Sequence, residues 1–432
     1  MTLQSARGFR RIGTLAVIPT LGALALAGCG GGGDSGSGDA GSPADGFTFA
    51  FENASGGQEN PWLVIAEQYS EETGVEIETH ALPPDSYGLT MRTQLQGGNA
   101  PDLMMFSPGT GQANSVLSLA EAGYIEPLDG ESAALVPEGS ESLYGIDGEV
   151  YAQPTSLIPV GITWNASAAA EAGIEVPSDF DELLDACRTL ADGGKSMFVL
   201  AGSVPPNPGL MAMAISATRV YAEMPDWNDQ RAAGEVSFAD SEGWQDTLQA
   251  VVDMADAGCY QPGAAGAGFD AITQGITQGT SLGAFTPGTS PTELMNATPG
   301  LELEVQPFPP AAGGEEYLLA SGNYALSINA EAEDAQKQAA SDFLTWLAQS
   351  ENAEAFTEVQ GGIPITGPNE SLEPVYEPVR ELLDSGDYAP LPNQSWPNPS
   401  VYDALASGVQ GLVGGQGDVQ SVLEAADQAW DQ

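Results

Sequence analysis

The chain has 432 residues, with 60 Asp and Glu against ten Lys and Arg, one His and three Cys, and its formal net charge is -50. So acidic a chain repels phosphate backbones and has no Lys/Arg cluster to hold them, which excludes a DNA- or RNA-binding role. Hydrophobic residues make up 42%, enough to bury a large core, and the acids are interspersed among periodic apolar stretches, which excludes an intrinsically disordered chain. The length predicts two or three globular units. The only lysines are Lys195 and Lys337. A surface this acidic is expected of a protein adapted to brine, where screening over about 3 Å at 1 M salt suppresses self-repulsion.

Residues 1–29 predict an address and not a fold. Arg7, Arg10 and Arg11 precede an apolar run from Ile12 to Ala27 and the small-residue tetrad Leu26-Ala27-Gly28-Cys29, the order of a secretory signal and its cleavage site. The tetrad resembles the bacterial lipoprotein box, which implies a signal peptide over residues 1–28, lipidation of the Cys29 thiol and an extracytoplasmic location, anchored to the membrane by lipid alone. Arg10-Arg11 leaves both general secretory and twin-arginine export open. Residues 29–46 are rich in Gly and Ser and bury nothing, so they read as a flexible tether, with the folded body beginning near Gly46. Cys187 and Cys259 allow either a disulfide or buried free thiols.

Phe47, Phe49 and Phe51 alternate with small or polar residues, the period of a strand. Pro61 opens a helix carrying Leu63, Ala66 and Tyr69, and Gly74 ends it. Val75–Thr79 alternates again. A second helix through Leu89, Arg92 and Leu95 leads to Gly97-Gly98 and the strand Leu103–Phe106. The order β-α-β-α-β predicts an open, largely parallel α/β sheet. Farther along, Ser178 opens a helix bearing Phe180, Leu183, Leu184, Cys187 and Leu190, closed by Gly193-Gly194. Trp244, Leu248, Val251, Val252 and Ala255 form another helical stripe, as do Ala339, Phe343, Trp346 and Leu347.

Several motifs imitate enzymes. Gly279-Thr280-Ser281-Leu282-Gly283 matches the G-x-S-x-G elbow, yet the base such a serine needs follows it in the chain, whereas the only histidine, His80, precedes it. Gly193-Gly194-Lys195-Ser196 ends like a phosphate-binding loop, but position 189 is Thr where the first Gly belongs. One His and two dispersed Cys supply no zinc set. No metal, cofactor or catalytic residue is expected. The rival class, a tethered glycosidase or esterase, would need Ser281 or an unselected carboxylate pair.

An ordered set of short segments resembles one family, the extracellular solute-binding proteins of ABC importers, in particular the maltodextrin branch. The set comprises Leu95–Leu103 with its Pro101-Asp102 step, Leu117–Leu128, Tyr151–Pro154, Val160–Asn165, Ala172–Leu183, Gly322–Ile328, Phe343–Leu347 and Gly361–Pro364. It spans nearly all of residues 47–432. The resemblance implies a type II periplasmic-binding-protein-like α/β fold, with two lobes, a hinge and a central ligand cleft. It implies one lobe from residues 47–155 and 322–370 and the other from 156–321 and 371–432. It also implies a monomeric carrier that delivers a carbohydrate to permease subunits; a polyamine, an osmolyte or an anion is the alternative cargo.

On the strand-end loops that such a cleft uses lie Asn53, Glu59 and Trp62, then Phe106 and Ser107, and then Trp164 near the crossover. Phe285 and Thr286, Asn323 and Tyr324, and Trp396 complete the candidates. Sugar rings offer apolar C–H faces edged by hydroxyls, which suit aromatic platforms and Asn, Glu or Ser acceptors. The family's stacking tryptophan is replaced here by Phe285. Trp396, in the polar loop Asn393–Pro399, is expected to reach ligand.

Overall fold

The three phenylalanines of β1 (Gly46–Glu52) lie on one face, as their spacing requires, and meet Trp62 and Phe343 at centroid distances of 5.5 to 6.4 Å. The computed structural model describes residues 46–432 except 54–59, 113, 138, 205, 287, 289, 323 and 367–371. The leader, Cys29, most of the tether, Glu59 and Asn323 lie outside the described residues. Along the chain follow β2 Glu76–Leu82, β3 Leu103–Phe106, the hairpin β4 Gly145–Ile146 with β5 Glu149–Val150, β6 Gln153–Pro154, β7 Ser156–Val160 and β8 Ile162–Asn165. Next come β9 Ser196–Val199, β10 Ser281–Ala284, β11 Leu303–Gln306, β12 Leu318–Gly322, β13 Ala325–Ile328, β14 Ile363–Pro364 and β15 Tyr388–Ala389. Among the described residues no helix is long and apolar enough to cross a membrane.

The first sheet has the order β2-β1-β3-β13-β6, with β1 parallel to both β2 and β3. The Pro101-Asp102 step acquires a physical role here. The Asp102 carboxylate accepts from the Thr48 amide at 2.8 Å and the Thr48 hydroxyl at 2.7 Å, while the Asp102 amide donates back to that hydroxyl oxygen at 2.9 Å. Helix Pro61–Thr73 covers this sheet, capped by the Asn60 side chain and ended by Gly74 in the left-handed region at φ 77°, where a side chain would be strained. Its buried stripe is Trp62, Ile65, Ala66 and Tyr69. Leu63, expected on that face, is 43% exposed, because one residue step turns the helix by about 100° away from the stripe's centre.

The second sheet, β11-β8-β10-β9, lies against a separate apolar core. Helix Phe180–Asp192 starts one residue later than Ser178 suggests. Asp179 is the cap, its carboxylate accepting from the Glu182 amide, and Glu182 in turn accepts from the Ser178 amide and hydroxyl. The cap thus satisfies one orphan donor of the first turn, and the Phe180 amide donates to the Pro310 carbonyl at 2.9 Å. Cys187 on this helix is disulfide-bonded to Cys259, which follows the helix Glu242–Asp256.

A third, linking sheet has the order β14-β7-β12-β15. The chain leaves the first sheet through β6, runs along β7 and enters the second through β8; it returns through β11, β12 and β13, and β14 begins a further passage. Between β7 and β8 sits Gly161, where a Cβ would collide with the Gln306 carbonyl. The crossing is therefore built on a glycine for close approach.

Candidate functional site

Register fixes where the two sheets look. Phe106, at the carboxyl end of β3, pairs with Ala325, which β12 reaches directly, and Gln306, at the end of β11, pairs with Ile162, where β7 arrives. Ala284, the end of β10, pairs with Thr163 beside it. The carboxyl ends of β1, β3, β10 and β11 therefore converge on the linking strands from both sides. Ligands of open α/β sheets bind at such ends.

On the first side β1 ends at Glu52. Phe47, Phe49 and Phe51 turn to the helices, so Thr48, Ala50 and Glu52 take the opposite face. The half-buried Glu52 carboxylate accepts the Tyr324 hydroxyl at 3.0 Å, and Thr155 donates to the Tyr324 carbonyl at 3.2 Å. Burial raises the Glu52 pKa above the usual carboxylate value, with the Tyr324 hydrogen bond opposing it. Burial and the neighbouring Glu52 charge push the Tyr324 phenol up, so it keeps its proton. Tyr87 knits the two strand ends, donating to the Ala50 carbonyl and accepting from the Met105 amide, both at 3.0 Å. Asn53 is exposed and accepts from Asn60 at 3.4 Å. This row can accept and donate hydrogen bonds to hydroxyl groups around one carboxylate.

On the second side the hydroxyls of Thr163 and Thr286 meet at 2.7 Å. Asn207 donates to the Phe285 carbonyl and accepts from the Ala201 amide, tying the ends of β9 and β10 together. Ser281 of the elbow-like motif is inside β10, its hydroxyl 2.7 Å from that of Ser196, and Lys195 donates to the Gly279 carbonyl. Neither motif forms the turn its chemistry needs.

The aromatic candidates require correction. Trp62 and Phe106 belong to the first core, and Trp164 and Phe285 to the second. Phe285 packs 5.0 Å from Phe198 and 6.4 Å from Phe308. Trp396 is fully buried against Phe238 at 5.5 Å and Trp244 at 6.3 Å, and its indole N–H donates to Asn228 at 3.3 Å. The polar residues around it decide where the backbone runs. The ring, with its one polar atom satisfied, gains by turning inward. Ser107 and Thr286 are each 8% exposed, Asn53 is exposed and Tyr324 half-buried. Of the predicted residues, Asn53, Ser107 and Tyr324 gather at the first side and Thr286 at the second.

Glu52, Thr155 and Asn60 were missed. The alternation that identified β1 also contained the signal for Glu52, since it ends the strand on the face away from the phenylalanines. Asn60, directly before Pro61, carried the signal of a helix cap, whereas Thr155 carries none, because its partner Tyr324 is remote in sequence.

The profile described as bacterial extracellular solute-binding protein matches residues 64–373. The multiple sugar-binding protein of Streptococcus mutans is 20% identical over 317 residues, 72% of this chain and 74% of that one. The osmoprotective compounds-binding protein of Synechocystis sp. is 29% identical over 141 residues, 31% of each chain. Among solved structures, a chitin oligosaccharide binding protein superposes with a TM-score of 0.72 at 18% identity, covering 89% of this chain and 98% of its own.

Proposed function

Because the chain belongs to the bacterial extracellular solute-binding protein family, we propose that it captures a carbohydrate between two hinged lobes and hands it unchanged to an ABC permease. The lobes would be residues 47–155 with 322–370 and residues 156–321 with 371–432, in keeping with the two cores and their linking sheet. The observation that carries the reading is the Glu52–Tyr324 pair at the convergent strand ends. A carboxylate there accepts from sugar hydroxyls, and closure is favoured because a ligand touches both lobes only in the closed state. The strand burial of Ser281 supports a carrier over an esterase.

Calorimetry with a panel of mono- and oligosaccharides, joined to product analysis of the same samples, tests this; turnover of any sugar would make the protein an enzyme. The likeness to an osmoprotectant binder favours a second reading, a compact polyol osmolyte, and the same panel extended to such osmolytes separates the two. Glu52→Gln is expected to weaken binding about 10- to 100-fold, the scale of a hydrogen bond to a charged acceptor. Wild-type affinity should fall as pH drops through the raised Glu52 pKa, whereas the Gln variant should be flat there. The folded state binds this proton more tightly than the unfolded chain does, so Glu52 itself adds stability as pH falls. Acid loss of binding is thereby distinguishable from acid unfolding.

We also propose that the mature protein is a lipid-anchored monomer on the extracytoplasmic face, attached through Cys29. Its acidic surface, with seven basic residues left after loss of Arg7, Arg10 and Arg11 against 60 acids, would suit brine. The melting temperature is then expected to climb from low to molar salt as self-repulsion is screened; a flat or falling response would count against adaptation to salt.

A further inference from the structure

The loop after β3 does not stay with its own core. The amides of Thr110 and Gly111 both donate to the Gln394 carbonyl, at 2.8 and 3.2 Å, and the Thr110 hydroxyl donates to the Trp396 carbonyl at 2.9 Å. Behind the loop, the Gly109 amide donates to the Leu143 carbonyl at 2.8 Å. A Cβ on Gly109 would collide with the Gln394 carbonyl, and one on Gly111 with the Asn393 carbonyl. Gly109 also has φ 74°, but Gly111 lies outside the left-handed region. At Gly111, close approach alone demands the missing side chain.

The receiving segment, Leu391–Trp396, is held from elsewhere. It continues β15 alongside β12, where the Leu391 amide donates to the Ser321 hydroxyl and the Gln394 side chain donates to the Gly322 carbonyl at 3.1 Å. Asn228 donates to the Pro392 carbonyl at 2.9 Å, and the Trp396 ring is seated in the second core. Pro390 and Pro392 restrict its backbone further. Beside the contact a cavity is lined by Ser142 and Leu143 from one side and by Asn228, Leu391 and Ser395 from the other. The junction itself is made by two amides and one hydroxyl donating to main-chain carbonyls.

We propose that Gly109-Thr110-Gly111 is a latch: it docks on the strap Leu391–Trp396 and holds the two lobes in the closed arrangement even without ligand. Both acceptors on the strap side, the Gln394 and Trp396 carbonyls, are main-chain groups, so the latch recognises the strap's backbone path rather than its side chains. This rests on the two-lobe reading proposed above and does not depend on which solute is carried. Its effect is to set how much of the unliganded population is closed, which scales the apparent affinity for any ligand that needs closure.

The test is ligand-free. Nitroxide labels are placed on Leu89→Cys and Phe269→Cys, exposed positions on helices of the two lobes, in the full chain carrying Cys29→Ser, and their distance distribution is measured by pulsed electron resonance. The parent should give one short population. Gly111→Ala, which pushes the loop off the strap, should add a longer one, with the open-to-closed ratio rising about tenfold, and Thr110→Val should move it the same way by less. Distributions that match the parent in both variants, or that shorten, would overturn the latch. If Gly111→Ala loses its cooperative melting transition, Thr110→Val alone decides.

Discussion

Trp396→Ala is expected to lower folding stability by about 3–5 kcal/mol, the scale for removing a buried large aromatic ring. The ring is fully buried and lies within 6.5 Å of Phe238, Trp244 and Tyr402, so truncation leaves a void among large, interlocked neighbours. It also strips Asn228 of one of its partners while the bonds from Asn228 to Pro392 and Ser395 remain. The urea midpoint is the measurement that checks this, read beside Trp396→Phe, which should recover most of the loss. A variant with an unchanged midpoint and lost sugar binding would move the ring out of the core and back to the ligand. Because the same residue ends the strap, the two effects must be separated by measuring stability first.

Replacing Cys187 and Cys259 together by Ala is expected to cost about 2–5 kcal/mol. The bond closes a loop with a sequence separation of 72 and joins helix Phe180–Asp192 to the turn after helix Glu242–Asp256. Cross-linking so long a loop removes much of the freedom of the unfolded chain, and both cysteines are fully buried in the second core. Calorimetric scans should show the transition of the wild type shifting down under a strong reductant to meet that of the double variant. Coincident transitions of oxidised wild type and double variant would remove the bond from the stabilising interactions.

The fold was legible because its signals are periodic and local. The alternation of Phe47, Phe49 and Phe51, the glycine that ends helix Pro61–Thr73, and the helical stripe from Trp244 to Val251 each follow from neighbours a few residues apart. The site was legible in part. Tyr324 and Asn53 were expected as strand-end residues, but Glu52, the partner of Tyr324, lies 272 residues from it along the chain, and no local pattern announces a pairing at that range. Trp62, Phe106, Trp164, Phe285 and Trp396 lie in the cores for one physical reason. A tryptophan or phenylalanine beside a strand end serves a core as readily as a ligand, and only packing distinguishes the two. Gly109 and Gly111, lost among 54 glycines in the sequence, acquire meaning only when the Gln394 and Asn393 carbonyls are seen against them.

The repeated passage of the backbone through the linking sheet has a consequence for how the molecule comes into being. β1 cannot complete its sheet or its aromatic packing until β13 and Phe343 have been synthesised. At about 5–20 residues per second, the interval between Glu52 and Tyr324 lasts roughly a quarter of a minute to a full minute. Through that interval β1, β2 and β3 can pair with one another, but the first sheet lacks β13 beside β3. Until β13 arrives, the apolar strand Leu103–Phe106 keeps an open edge, which a chaperone acting on the nascent chain would have to shield.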